Sequence, residues 1–333
     1  MRIGLAGVGR IGAEHARALA IHPDVDELVL ADADAARASA LAQELDVPCA
    51  PSVEALLTSG LDGFVIAAAT DAHGALIKSG IDAGLPVFCE KPVAPDVAST
   101  VAVRDHVRER GGSVQIGFQR RFDAGYTAAR AELSSGRLGG LRRAHLLTCD
   151  PSPPAKEYIP VSGGIYRDMH VHDFDILRWV TGREVVEVFA MGANRGDQVF
   201  ADCGDVDEAV TLLRLDDGTL ATLQGSRYNG AGYDVRMELA GTEGTVVVGL
   251  EDRVPLRSVE PGVTFPAGEP WPAFWPRFTP AYRAEMTAFV AMVRGSSPSP
   301  CTVEEALQAV LIAEAADRSR QQNRPVRLTE VAP

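Results

Sequence analysis

The segment Gly7-Val-Gly9-Arg-Ile-Gly12 constrains this chain more than any other. Arg2–Ala6 before it read as a short buried strand, and a helical pattern runs from about Ile11 to Ala20 after it. Between a strand and a helix, each glycine of a G-x-G-x-x-G motif has its own physical reason. The first permits a tight turn, the second lets a pyrophosphate approach the backbone, and the third lets helix and strand pack closely. The helix N-terminus then favours the anion. Gly7, Val8, Gly9, Arg10, Ile11 and Gly12 are therefore candidate cofactor contacts.

The next strand, Glu27–Ala31, ends at Asp32, 20 residues past Gly12. That is the spacing of the acid that hydrogen-bonds the adenine ribose hydroxyls. A carboxylate there repels a 2′-phosphate. Ala33 offers no compensating charge and the nearest arginine is Arg37, so the expected cofactor is NAD rather than NADP.

Strand and helix keep alternating. Ala36–Leu45, Ser52–Ser59, His73–Ala83 and Ala98–Arg110 read as helices; Gly63–Ala69, Pro86–Cys89 and Ser113–Gly117 read as strands. Such repetition predicts an α/β, doubly wound parallel sheet of the Rossmann type, whose ligands bind beyond the C-terminal ends of the strands. Asp32, Thr70, Lys91 and Gln119 all fall at or just past such ends.

After Phe122 the rhythm changes. Longer alternating segments follow, and Thr211–Leu215 and Leu220–Gln224 flank Asp216-Asp-Gly218, a hairpin signal. The expected second domain is α+β with a large, mostly antiparallel open sheet. The predicted division is residues 1–122 for dinucleotide binding and 123–333 for substrate binding and oligomerisation.

Within the second domain, Ser162–Trp179 carries the most chemistry. Read as one helix from about Tyr166, it puts Asp168 and His172 one turn apart on one face, continued by Asp175 and Trp179. Apolar residues surround the rest, as on a buried helix. A buried carboxylate and imidazole need partners or a task, although a lone buried histidine is more often a satisfied core residue. His170-Val-His172 with Asp173 and Asp175 resembles a metal set only superficially, because residues two apart on a helix point in different directions; no metal site is expected.

A formal net charge of −13 argues against nucleic acid or an anionic membrane as partner. Five scattered cysteines without C-x-x-C spacing fit reduced thiols better than a disulfide framework. With no visible signal peptide and no apolar run of membrane-spanning length, the expected location is the cytoplasm.

Glu90-Lys91-Pro92 and the D-x-x-x-H pair Asp168/His172 resemble the Gfo/Idh/MocA oxidoreductases, which carry an E-K-P motif in a Rossmann domain and a D-x-x-x-H pair in a second, open-sheet domain. Gly117-Phe-Gln-Arg-Arg-Phe-Asp123, Asp150-Pro-Ser-Pro-Pro, Glu157-Tyr-Ile, Ser162–Met169, His172-Asp-Phe-Asp175, Gly232-Tyr-Asp-Val-Arg236 and Ala281-Tyr-Arg-Ala-Glu285 resemble its inositol-dehydrogenase branch. There are departures. Ala67-Ala-Ala-Thr70 replaces a common A-T-P, and His170 stands where that branch often has threonine, placed so as to reach the substrate pocket or face solvent.

The resemblance implies an NAD-dependent enzyme oxidising a ring hydroxyl of a cyclitol. It implies that Lys91 holds the reacting hydroxyl, that His172 takes its proton, and that Asp168 orients His172 and contacts substrate. Gln119, Arg120, Asp150, Tyr233 and Tyr282 would contact substrate; Thr70, His73, Glu90, Lys91 and Gln119 would line the cofactor. The chemistry agrees: a histidine suits proton removal near neutral pH, and a lysine stabilises developing alkoxide charge. The resemblance also implies a homo-oligomer, dimer or tetramer, paired through the open sheet. A pyranose or aminocyclitol dehydrogenase is the nearest alternative, and a non-catalytic NAD(H) sensor is the alternative of another class.

Overall fold

The computed structural model describes residues 1–266 and 268–332. In chain order its elements begin β1 (Arg2–Ala6), α1 (Arg10–Ala20), β2 (Glu27–Ala31), α2 (Ala35–Leu45), α3 (Val53–Leu57) and β3 (Gly63–Ile66). They continue with α4 (Thr70–Asp82), β4 (Val87–Glu90), α5 (Val97–Arg110), β5 (Val114–Gly117), α6 (Ala124–Ser134), β6 (Leu141–Cys149), α7 (Gly164–Asp168) and α8 (Val171–Thr181). Then come β7 (Val185–Ala193), α9 (Gln198–Asp202), β8 (Glu208–Leu215), β9 (Leu220–Ser226), β10 (Asp234–Gly241), β11 (Thr245–Val248), α10 (Phe274–Val293), α11 (Val303–Gln322) and β12 (Val326–Arg327). Helix starts follow local chemistry: Asp34, Ser52, Asp96 and Asp123 each accept backbone N–H bonds at an N-cap.

The chain forms two compact units. The first holds residues 1–119 and 280–308, the second 120–279 and 309–332. The first contains a five-stranded parallel sheet in the order β2-β1-β3-β4-β5. Its strands are buried on both faces, as a sheet covered by helices requires. Residues 280–308 are an addition to the 1–122 segment expected from sequence. The physical reason is packing: Met286, Phe289 and Val290 of α10 share a core with Ile3, Leu5, Leu28 and Phe88.

The second unit contains a seven-stranded sheet in the order β11-β10-β6-β9-β8-β7-β12, antiparallel throughout except for the β6–β9 pair. The Asp216-Asp-Gly218 turn joins β8 and β9 in the expected hairpin. Burial alternates strictly along β8, so one face lies under helices while Val210, Leu212 and Leu220 stay exposed on the other. Helix α10 begins at Phe274. Among the described residues, no helix is long and apolar enough to cross a membrane.

Candidate active site

In the first unit the glycine motif has the predicted form. Gly7 has φ +94°, and a Cβ there would meet the backbone of Ala68 at 2.5 Å. A Cβ on Gly12 would stand 1.9 Å from the carbonyl oxygen of Gly7, whereas one on Gly9 would meet nothing within 4 Å. So the first and third glycines are required by the fold, and the second leaves open backbone. Helix α1 has no side-chain cap and no acid in its first turn. An open glycine beside an uncapped helix start fits a pyrophosphate.

Asp32 is half-buried, its side chain 5% exposed. Its carboxylate accepts from Val8 N–H at 2.7 Å, Asp34 N–H at 2.8 Å and the Arg37 guanidinium at 2.8 Å. Burial alone would raise its pKa, but Arg37 and the two N–H groups outweigh that and hold it below the usual value. The expected ribose acid thus also fixes the glycine loop through Val8, and Arg37 stands against it rather than apart.

At the neighbouring strand ends, Thr70 opens α4 and Lys91 follows β4, both half-buried. His73 is buried; its Nδ1 lies 2.7 Å from the Pro92 carbonyl oxygen and its Nε2 lies 3.0 Å from that of Ala68. Glu90 contacts His15 of α1, Oε1 to Nε2 at 2.6 Å. Gln119 is buried just past β5. Tyr282 is buried too, its ring edge-on to His15 at 5.9 Å. The sequence reading missed His15, although its place three residues past Gly12 on the buried side of α1 is a usable signal.

In the second unit, consecutive glycines at positive φ, Gly163 and Gly164, lead into α7. Asp205 accepts from Ile165 N–H at 3.0 Å and secures that turn. The single helix expected from Tyr166 is corrected: it is two helices. The Ile165 carbonyl accepts from both Met169 and His170 N–H at 3.0 Å, and the register restarts at Val171. Asp168 therefore closes α7 and His172 lies in the first turn of α8. Both are half-buried.

Asp168 accepts from the Tyr158 hydroxyl at 2.9 Å and from Arg227 at 2.8 Å. Arg227, itself buried, also reaches Asp150 at 3.2 Å. One guanidinium thus gathers two of the predicted site carboxylates. Burial raises the pKa of Asp150 despite the opposing pull of Arg227. Tyr158 lies in the Glu157-Tyr-Ile match without a role assigned to it there, and Arg227, 59 residues from Asp168, shares no local motif with it.

Arg120, expected among substrate contacts, is 2% exposed and committed inside the protein. It donates to Asp173 at 2.6 Å and to Thr148 at 3.1 Å. Arg121 donates to both oxygens of Asp175, at 2.6 and 2.9 Å. Asp173 and Asp175 of the apolar helix thus have their partners, as burial demands. Tyr233 is buried, its ring edge-on to Phe278 at 6.4 Å; desolvation raises its hydroxyl pKa.

His170 neither faces solvent nor stands at a pocket wall. It is fully buried between the ring edges of Tyr166 and Phe174, at 5.6 and 6.1 Å, and lies against Gly225 of β9. Burial first, then Arg227 and Arg120, lower its pKa to about 3, so the ring is neutral at physiological pH.

Comparison with known proteins adds to this geometry. Residues 1–118 match an oxidoreductase family with an NAD-binding Rossmann fold, and residues 126–247 match the GFO/IDH/MocA C-terminal domain. The chain is 40% identical to a myo-inositol dehydrogenase of Streptomyces leeuwenhoekii, over 96% of this chain and 97% of that one. It superposes on a myo-inositol dehydrogenase of Corynebacterium glutamicum with TM-score 0.91 and 33% identity, covering 98% of each chain. It also superposes on the scyllo-inositol dehydrogenase of Lactobacillus casei with bound NAD(H) and scyllo-inositol, with TM-score 0.89 and 26% identity over 99% of each chain. Matched along both its Rossmann and its open-sheet halves, the chain belongs to the Gfo/Idh/MocA oxidoreductase family.

Proposed function

We propose that this protein is an NAD-dependent dehydrogenase that oxidises a ring hydroxyl of a cyclitol to a ketone. The observation that carries the reading is the end-to-end 40% identity to a myo-inositol dehydrogenase in a chain that holds Lys91, Asp168 and His172. A relative crystallised with NAD(H) and scyllo-inositol supports it. Gly7–Gly12 would hold the pyrophosphate and Asp32 the adenine ribose, with Thr70, His73, Glu90 and Gln119 around the cofactor. Bound there, the nicotinamide would accept the hydride.

The remaining work falls to side chains. His172 receives the hydroxyl proton, and the Lys91 ammonium stabilises the developing alkoxide. Asp168, held by Tyr158 and Arg227, orients the imidazole. Asp150 stands on the same guanidinium as a substrate contact, and Tyr233 completes that set. Arg120 acts from beneath by fixing α8 through Asp173. A homo-oligomer paired through the open sheet face is part of the same reading, because Val210, Leu212 and Leu220 are large apolar side chains exposed on that face; light scattering tests it. For the activity, NADH formation is followed across a panel of inositols and aldoses, with NAD and NADP in parallel. Turnover of an inositol with NAD is expected. Tight NAD binding without turnover of any polyol would identify an NAD(H) sensor instead.

A further inference from the structure

Lys91 sits in a loop, yet the residue on either side of it is tied to a different helix by a buried histidine. Before it, Glu90 Oε1 lies 2.6 Å from His15 Nε2 of α1. After it, the Pro92 carbonyl oxygen lies 2.7 Å from His73 Nδ1 of α4. Both imidazoles are deeply enclosed, at 1% and 2% exposure. Each is anchored in turn. His15 packs edge-on against Phe88 at 5.3 Å and Tyr282 at 5.9 Å, and His73 Nε2 faces the Ala68 carbonyl oxygen at 3.0 Å. The Glu285 carboxylate completes the surroundings of His15, within 4.8 Å of both it and Glu90.

We propose that His15 and His73 are positioning residues that clamp the Glu90-Lys91-Pro92 turn and so aim the Lys91 side chain. The inference rests on the reading of Lys91 as the group that holds the reacting hydroxyl. Ordering a loop residue costs about 1–2 kcal/mol of backbone entropy, and a group displaced by about 1 Å can lose about a hundredfold in rate. The clamp removes both costs before substrate arrives. It also joins the catalytic turn to the two helices that open on the cofactor, since α1 follows the glycine motif and α4 begins at Thr70. A ring carrying one N–H donates to only one of the two carbonyls beside His73. The shorter contact, to Pro92, is the one that bears on Lys91.

Two substitutions separate the contacts of His73. An asparagine amide reproduces the reach of Nδ1 to Pro92, and a glutamine amide that of Nε2 to Ala68. In the full-length protein, His73→Gln should lower kcat about tenfold or more, and His73→Asn should recover most of that rate. His15→Gln should likewise recover the rate lost in His15→Ala, because the amide restores a donor to Glu90. This second pair reads the clamp if His73 variants fold poorly. An independent readout is the acylation rate of Lys91, one of three lysines in the chain with Lys78 and Lys156, measured by peptide mass spectrometry. It should change at Lys91 alone in His73→Gln. If His73→Gln is as fast as His73→Asn, or if His15→Gln is as slow as His15→Ala, the clamp is wrong. If wild type oxidises no polyol, the functional reading fails by itself. The acylation rate then decides the clamp, supported by a change at Lys91 and overturned by none.

Discussion

His170 Nε2 occupies the space a side chain on Gly225 would need: a Cβ there would come within 1.8 Å of it. The imidazole of the residue that caps α8 thus rests directly on the backbone of β9. Gly225→Ala should displace the ring and destabilise the fold by about 1–3 kcal/mol, the usual cost of overpacking. Most of the loss should return in a His170→Ser background, giving a double-mutant coupling of similar size by urea unfolding. Additive effects would show that the two residues do not share that space.

Acid should destabilise the protein through the same ring. In the fold, burial pushes the His170 pKa down to about 3 from an ordinary 6.5. Between those values the unfolded chain binds the extra proton, so this contribution is fully present above about pH 6.5 and is lost as pH falls toward 3. Relative to His170→Phe, wild type should lose roughly 1 kcal/mol between about pH 7.5 and 5.5. Calorimetric melting of both proteins across that range checks it. Parallel curves would mean that the ring takes up a proton in the folded state.

Arg120→Met should act mainly on stability. It leaves the buried Asp173 carboxylate with Thr148 but without its cation, a change that costs about 3–5 kcal/mol for a broken buried pair. Arg120→Met with Asp173→Leu should recover most of that. A normal urea midpoint with a raised KM for the polyol would instead return Arg120 to the substrate contacts.

Lys91→Ala and His172→Ala should each lower kcat by about a hundredfold or more, the scale of a lost proton-transfer or electrostatic group. NAD binding measured by calorimetry should survive in His172→Ala. A wild-type rate in either variant removes that residue from the mechanism.

Asp32→Ser should raise kcat/KM for NADP by about tenfold or more and lower it for NAD. The carboxylate that repels a 2′-phosphate goes, and the Arg37 guanidinium, now 2.8 Å from Asp32, is released to face that phosphate. An unchanged ratio of the two specificity constants would show that Asp32 does not touch the ribose.

Much of the fold and part of the site is legible in sequence for local reasons. The glycine motif, the acid after β2 and the hairpin at Asp216-Asp-Gly218 are each encoded in a short run, because turn geometry and strand ends depend on neighbours in the chain. The helix break at Met169–His170 is not legible that way. Periodicity favours one helix across Asp168 and His172, and only the folded chain shows the register restarting at Val171, with His170 seated against Gly225, 55 residues on.

The same division runs through the charges. Sequence alone determined that Asp173, Asp175 and Asp168 lie on or beside a helix too apolar to be exposed, and so that each needed a partner. Only the tertiary structure decided which partner each has: Arg120 and Arg121 hold the first two in ion pairs beneath α8, and Arg227 holds Asp168 beside Asp150. The physical reason is that burying a carboxylate is costly wherever it occurs, so the need is a property of the residue and its helix. The guanidinium that meets the need comes from 53 to 59 residues away, and only the folded sheet and its helices bring it there.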